Sequence, residues 1–230
     1  MHQIARERPL PAAFIHTPWL NLASDDRYRY DRSIAEVREA MRILGDTGAA
    51  WLALSPGFAV YGGLGPDGCR DSEPLDRPKA QLRLLRALDR LASEADNHRL
   101  NLVLRQQPAL GNEELLVDAD DAERLLRSLG APHVGIGLDL GHIKLTARQR
   151  RRDADEMVES LLPQARQVWL HGNEGREDDH GRPKLESWEV SQLDRPAIRA
   201  LPLVYDAWDQ PPADLRSMVQ DLCDQGGRSI

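Results

Sequence analysis

The chain has 230 residues, 41% of them hydrophobic but only 5% aromatic, and 30 Lys+Arg against 37 Asp+Glu give a formal charge of −7. That acidic balance argues against a diffuse nucleic-acid-binding surface, and no apolar run approaches the roughly 18 residues of a membrane span. Met1-His2-Gln3-Ile4 opens no apolar leader, and Cys69 and Cys223 lie far apart without a CxxC pairing, which suits a reducing cytoplasm and argues against a thiolate zinc site.

Short apolar runs alternate with segments of helical period. Ala12–His16 reads as a strand, and Ile34, Val37, Met41 and Leu44 then form a helical stripe with Gly45 placed to cap it. Trp51–Leu54 is a second strand, followed by a Gly/Pro-rich loop from Pro56 to Pro78. Within that loop Gly62-Gly63-Leu64-Gly65 lacks the Lys-Ser/Thr of a phosphate-binding loop. Leu85, Leu88 and Leu91 mark a helix, Leu100–Leu104 a third strand, Leu125 and Leu126 a short helix, and Val134–Asp139 a fourth strand. Arg148-Gln149-Arg150-Arg151-Arg152 reads as a basic run at the start of a helix, where cations oppose the macrodipole. Met157, Val158, Leu161 and Leu162 stripe that helix. Val168–His171 is strand five, a polar loop leads to a short helix near Ala197, and Leu201–Asp206 is strand six. Leu215, Met218, Val219 and Leu222 predict a closing helix.

Repeated strand–helix units without a linker predict one α/β domain over residues 1–230, either a (β/α) barrel or a doubly wound sheet. The polar residues decide between them. His16, Ser55, Arg105, Asp139, His171 and Asp206 each fall at the C-terminal end of a predicted strand. In a barrel those ends converge on one mouth; in an open sheet they spread along an edge. His142, three residues after Asp139 in the expected loop, and Asp178-Asp179-His180 add imidazoles and carboxylates to the same end. Nitrogen and oxygen ligands without thiolate suit Zn²⁺ first, and Mn²⁺ or Fe²⁺ as alternatives.

His16-Thr17-Pro18-Trp19-Leu20-Asn21-Leu22 and Leu54-Ser55-Pro56-Gly57 resemble segments of endonuclease IV and its relatives. So do Leu138-Asp139-Leu140-Gly141-His142, Leu170-His171, Asp178-Asp179-His180 and Leu203-Val204-Tyr205-Asp206. These relatives form the xylose isomerase-like TIM-barrel superfamily. The resemblance implies one complete metal site from His142, Asp178 and His180. A second, from Asp139, His171 and Asp206, lacks a bridging Glu that is replaced by Arg105. A third retains His16 but has Ser55 for its other His. One or two bound ions are therefore expected. Asp178 is chosen over Asp179 on the Asp-x-His spacing.

Three functions follow from the resemblance. A metal-dependent hydrolase of a phosphate ester or related bond would use the complete site to generate hydroxide, with Asp139 or His171 orienting water and Arg105 stabilising substrate charge. A sugar isomerase or epimerase is the alternative: His171-Gly172-Asn173-Glu174 with Arg176 looks like that branch's segment. Its two acid/base glutamates are altered here, to Arg105 and Asp206, and arginine is no base at neutral pH. A non-catalytic binding barrel is the third. His16, Trp19, Glu174 and Arg176 are expected at the substrate, a small molecule, free or phosphorylated; Trp208 lies near the mouth. Six strands, against eight in a full barrel, imply that the first two βα units are lacking. A homodimer, residues 1–11 or coding sequence upstream would then cover the open edge.

Overall fold

The computed structural model describes residues 12–15 (backbone), 20–61 and 73–208, with 217, 220 and 221. Two compact units are distinguished, residues 1–107 with 111–136, and 108–110 with 137–230.

In the first unit, strands β1 (Ala12–Ile15), β2 (Trp51–Leu54) and β3 (Asn101–Arg105) pair in parallel, with Ala12 opposite Trp51 and Trp51 opposite Asn101. The opening residues of β4 (Val134–Asp139) continue the order β1-β2-β3-β4. Helix α1 (Arg27–Gly45) starts where Asp26 accepts from the Arg29 amide (3.0 Å), and it buries the predicted Ile34, Val37, Met41 and Leu44. Gly45 does not cap it as expected. Asp46 is the cap residue, in right-handed conformation, and the left-handed turn comes later, at Gly48 (φ 74°). Helix α2 (Arg77–Asn97) opens on Pro78 and buries Leu84, Leu88 and Leu91 among its alanines. Helix α3 (Ala119–Leu129) is capped by Asp118 and closed by left-handed Gly130. Arg77 forks onto both oxygens of buried Asp121 (2.8 and 2.9 Å), tying α2 to α3.

The second unit holds the end of β4, then β5 (Ala165–Leu170) and β6 (Leu203–Tyr205), in the order β4-β5-β6; β5 and β6 are parallel, with Val168 opposite Leu203. Helix α4 (Leu140–Arg150) follows β4 without a break, where a loop was expected. The basic run is corrected by the same helix. Arg148 and Arg150 lie in its last turn, where cations complement the macrodipole, and a separate helix, α5 (Ala154–Leu161), begins after the Asp153 cap. Two single turns, α6 (Trp188–Ser191) and α7 (Pro196–Arg199), precede β6. The expected sixth strand is shortened at both ends, because Pro202 and Asp206 pair with β5 through single bonds, Val168 N–H to Pro202 O and Asp206 N–H to Leu170 O (2.9 Å each). Leu215, Met218, Val219, Leu222 and Gly62–Gly65 lie outside the described residues, as do His16 and Trp19. No described helix is long and apolar enough to cross a membrane.

Candidate metal centre

The centre lies in the second unit and is assembled from three pieces of chain. The first is the β4–α4 junction. Asp139 ends β4 and is also the N-cap of α4, its Oδ1 accepting from the His142 amide (3.0 Å). Capping needs an acceptor three residues before the amide it serves, so the Asp-x-x-His spacing places His142 in the first turn beside the carboxylate. His142 Nδ1 lies 3.4 Å from Asp139 Oδ2.

The second piece is His171, one residue past β5 and fully buried. A Cβ on Gly141 would stand 2.3 Å from His171 Cε1, so only glycine lets the ring lie against α4.

The third is the loop beyond it. A single bridge pairs Gly172 with Gly181, Gly172 N–H donating to Gly181 O (2.8 Å), and folds Asp178 and His180 back onto His171. His180 adopts a left-handed backbone (φ 46°), a conformation that costs a non-glycine residue about 1 kcal/mol or more and clusters at functional sites.

One ligand atom from each of His142, His171, Asp178 and His180 falls within 4.8 Å of the others. Asp178 Oδ2 is 3.2 Å from His142 Nε2, and its Oδ1 is 3.4 Å from His180 Nε2. Donors around one tetrahedral zinc at 2.0–2.1 Å stand about 3.3 Å apart. His180 Nδ1 lies 3.0 Å from the Asp206 carbonyl, which can only accept, so Nδ1 carries a proton and Nε2 is the nitrogen turned to Asp178. At 3.4 Å, Nε2 and Asp178 Oδ1 can share a cation between them, a proton or a metal ion. Both ring nitrogens of His171 are buried without a hydrogen bond among the described residues, although Nε2 approaches Asp139 Oδ1 to 3.0 Å. A core imidazole ordinarily makes such bonds. The residues therefore fit a divalent cation. Burial pushes the Asp178 carboxyl up, but hydrogen bonding and charge from His142 and His180 outweigh it and hold the group well below the usual carboxylate range.

The grouping differs from the expected one. His171 joins His142, Asp178 and His180 in a single cluster. Asp139 abuts it through His171 and His142, and Asp206 stands behind His180, with Oδ2 3.2 Å from Nδ1. Asp178 enters the cluster, while the neighbouring Asp179 is exposed. Trp208, half exposed, stacks on His180 with ring centres 4.0 Å apart, and His180 stacks on His171 at the same distance. Glu174 and Arg176 are exposed outside the cluster, and the Glu174 carboxylate faces Lys184 at 3.6 Å. Arg105 ends β3 in the first unit and is 7% exposed, while Ser55 Oγ accepts from the Gly57 amide (3.3 Å) in a local turn. Sequence reasoning missed half-buried Lys144 and buried Glu189, an ion pair beside the centre (2.8 Å); a lone lysine and a lone acid 45 residues apart carry no sequence signal.

No curated protein matches the chain in sequence. Among solved structures, a D-tagatose 3-epimerase-like protein is similar at TM-score 0.76 and 12% identity, over 98% of this chain and 82% of that one. The apo 3-keto-D-glucoside 4-epimerase of E. coli is similar at TM-score 0.72 and 14% identity, over 97% and 82%. A Thermus thermophilus protein soaked with zinc chloride reaches TM-score 0.63 and 17% identity, over 98% and 83%. The α/β class and its TIM-type alternation of strand and helix hold, with six strands among the described residues against the eight of a full barrel. With residues 1–196 matching the family model throughout, the chain belongs to the xylose isomerase-like TIM-barrel family.

Proposed function

We propose that the chain is a divalent-metal-dependent isomerase or epimerase acting on a small, hydroxyl-rich carbonyl compound of the sugar class. The observation that carries the reading is the cluster of three imidazoles and a carboxylate, with His171 fully buried among them. The likeness to a D-tagatose 3-epimerase-like protein and to a 3-keto-D-glucoside 4-epimerase supports the substrate class. Zn²⁺ is the first choice of ion, with Mn²⁺ or Fe²⁺ as alternatives.

His142, His171, Asp178 and His180 would hold the cation, which supplies Lewis-acid polarisation of a carbonyl oxygen. Polarisation acidifies the adjacent C–H, and a nearby carboxylate can then accept that proton and return it. Asp139 is fully buried against His142 and His171, so it orients them. Asp206 keeps 18% of its side chain exposed beside His180 and is the base. Moving a proton between neighbouring carbons on one face needs a single base, whereas inverting one carbon needs a proton donor on the opposite face. Arg105 cannot be that donor's conjugate base at neutral pH. Aldose–ketose isomerisation is therefore the form of the reaction these residues support best.

The test is to incubate zinc- or manganese-loaded protein with a panel of aldoses and ketoses in D₂O and follow the C–H signals by NMR. Deuterium should enter beside the carbonyl, and Asp206→Asn should abolish the exchange. A second reading, the phosphoesterase, is favoured by the His142–Asp178–His180 set. Hydrolysis of bis-p-nitrophenyl phosphate with no C–H exchange would replace the first reading by the second.

A further inference from the structure

Behind the metal centre, α4 is fastened to the chain segment after β5 at three points. Asn173 Nδ2 donates to Gly141 O (2.8 Å), Arg148 donates to Glu174 O (2.7 Å), and Lys144 Nζ donates to Asn173 O (2.7 Å). Asn173 also folds the segment on itself, its Oδ1 accepting from the Gly175 amide (2.8 Å). Lys144 is anchored in turn by Glu189 of α6, whose Oε1 lies 2.8 Å away. Glu189 is fully buried, and its Oε2 has no hydrogen-bond partner among the described residues.

Lys144 is half-buried and Glu189 fully buried, and such a pair with an unsatisfied carboxylate oxygen is a poor source of stability, because desolvation of the carboxylate offsets the attraction. Its location gives it another consequence. Helix α4 carries His142 in its first turn, and the gripped segment begins at His171; the lysine stands two residues after the one and bonds two residues after the other. Slippage of either element would separate imidazoles whose ring centres are 5.2 Å apart. Metal distances tolerate about 0.2 Å.

We propose that Lys144 and Glu189 are positioning residues for the metal centre, a strut that locks α4 to the segment after β5 and so sets the distance between His142 and His171. The inference rests on the metal reading above and adds residues that do not touch the ion.

Lys144→Met combined with Glu189→Leu leaves no lone charge in the core. Zn²⁺ affinity is measured by competition with a chromophoric chelator, and amide hydrogen exchange at residues 171–175 is measured in the metal-free protein. The double variant should melt within a few degrees of wild type, lose about 10-fold or more of the protection at 171–175, and bind Zn²⁺ about 10–100-fold more weakly, the usual effect of removing a ligand-orienting partner. Unchanged exchange overturns the proposal, and so does unchanged Zn²⁺ affinity with lost protection. If wild-type protein takes up no Zn²⁺, the metal reading fails by itself and exchange alone decides whether the pair holds the segment. If the double variant does not fold, Glu189→Gln, which keeps the shape and an acceptor, is read by the same two measurements.

Discussion

Gly141→Ala tests the centre through a single methyl group. The added Cβ would stand 2.3, 2.4 and 2.7 Å from Cε1, Nε2 and Nδ1 of His171. Ordinary contact is about 3.5–4.0 Å, so the ring must retreat by about 1 Å. His171 is fully buried, which leaves it no open space to enter. A shift of that size is about five times the 0.2 Å that metal–ligand bonds tolerate. Zn²⁺ affinity should therefore fall by at least about 100-fold, beyond the upper end of the orienting-partner range. Stability should change much less. Alanine gains up to about 1 kcal/mol over glycine in a helix, against about 1–3 kcal/mol for overpacking. Calorimetric titration with Zn²⁺ and thermal melts of the metal-free protein measure the two effects separately. A Gly141→Ala variant that binds Zn²⁺ with wild-type affinity and stoichiometry would refute the placement of His171 as a ligand.

Four further outcomes are expected. His180→Ala should lose Zn²⁺ uptake measured by elemental analysis, whereas a full equivalent retained in the variant would remove His180 from the ligand set. Zinc at about 100 times its Kd should add about 2.7 kcal/mol, which chelator reverses; scanning calorimetry should show this as a melting shift of about 5–10 °C, and identical melts with and without chelator would count against a resident ion. In the first unit, Arg77→Met strips buried Asp121 of its forked partner and leaves Arg124 (3.0 Å) and the Val117 amide (3.1 Å). The loss in urea unfolding should be about 3 kcal/mol, the low end for a broken buried pair, and a loss under about 1 kcal/mol would show the fork to be dispensable. Asp25 is held below its ordinary 3.8, foremost by the hydrogen bond from Lys79, against an upward push from burial. Its folded form binds a proton less readily than its unfolded form, so its contribution is complete above about pH 5 and disappears as pH falls through 3.8 towards the folded value. Asp25→Asn should therefore flatten the acid limb of the stability curve, and an unchanged limb would show the Lys79 contact to be without effect.

The strands and the cluster were legible for a common reason. Each described strand that was read from sequence is a short apolar run ending in a polar residue, and Asp139, His171 and Asp206 lie at those ends. The Asp-x-His spacing points to Asp178, which lies in the cluster, while Asp179 is exposed. Helix α4 was not legible, because amphipathic periodicity needs a wet face. Leu140, Gly141, His142, Ile143, Leu145, Thr146 and Ala147 are all buried, so no stripe stands out. Its one local signal was the Asp139 cap, which reads equally as a strand-end carboxylate. Missing that helix also misplaced the arginine run, since the end of an unseen helix looks like the start of the next. The strut was beyond reach, because Lys144 and Glu189 meet only through tertiary packing.

The column of rings from Trp208 through His180 to His171 gives the protein an optical readout of its own centre. Indole emission is quenched by an imidazolium in face contact, through electron transfer across the stack, and 4.0 Å is close enough for that transfer. Nε2 of His180 faces the cluster, so whatever occupies that position sets the charge beneath the indole. A change of occupancy at that nitrogen alters the ring that lies in face contact with the indole. Trp208 is one of five tryptophans, so comparing the emission of wild type and Trp208→Phe as Zn²⁺ is added isolates the change that arises in this stack.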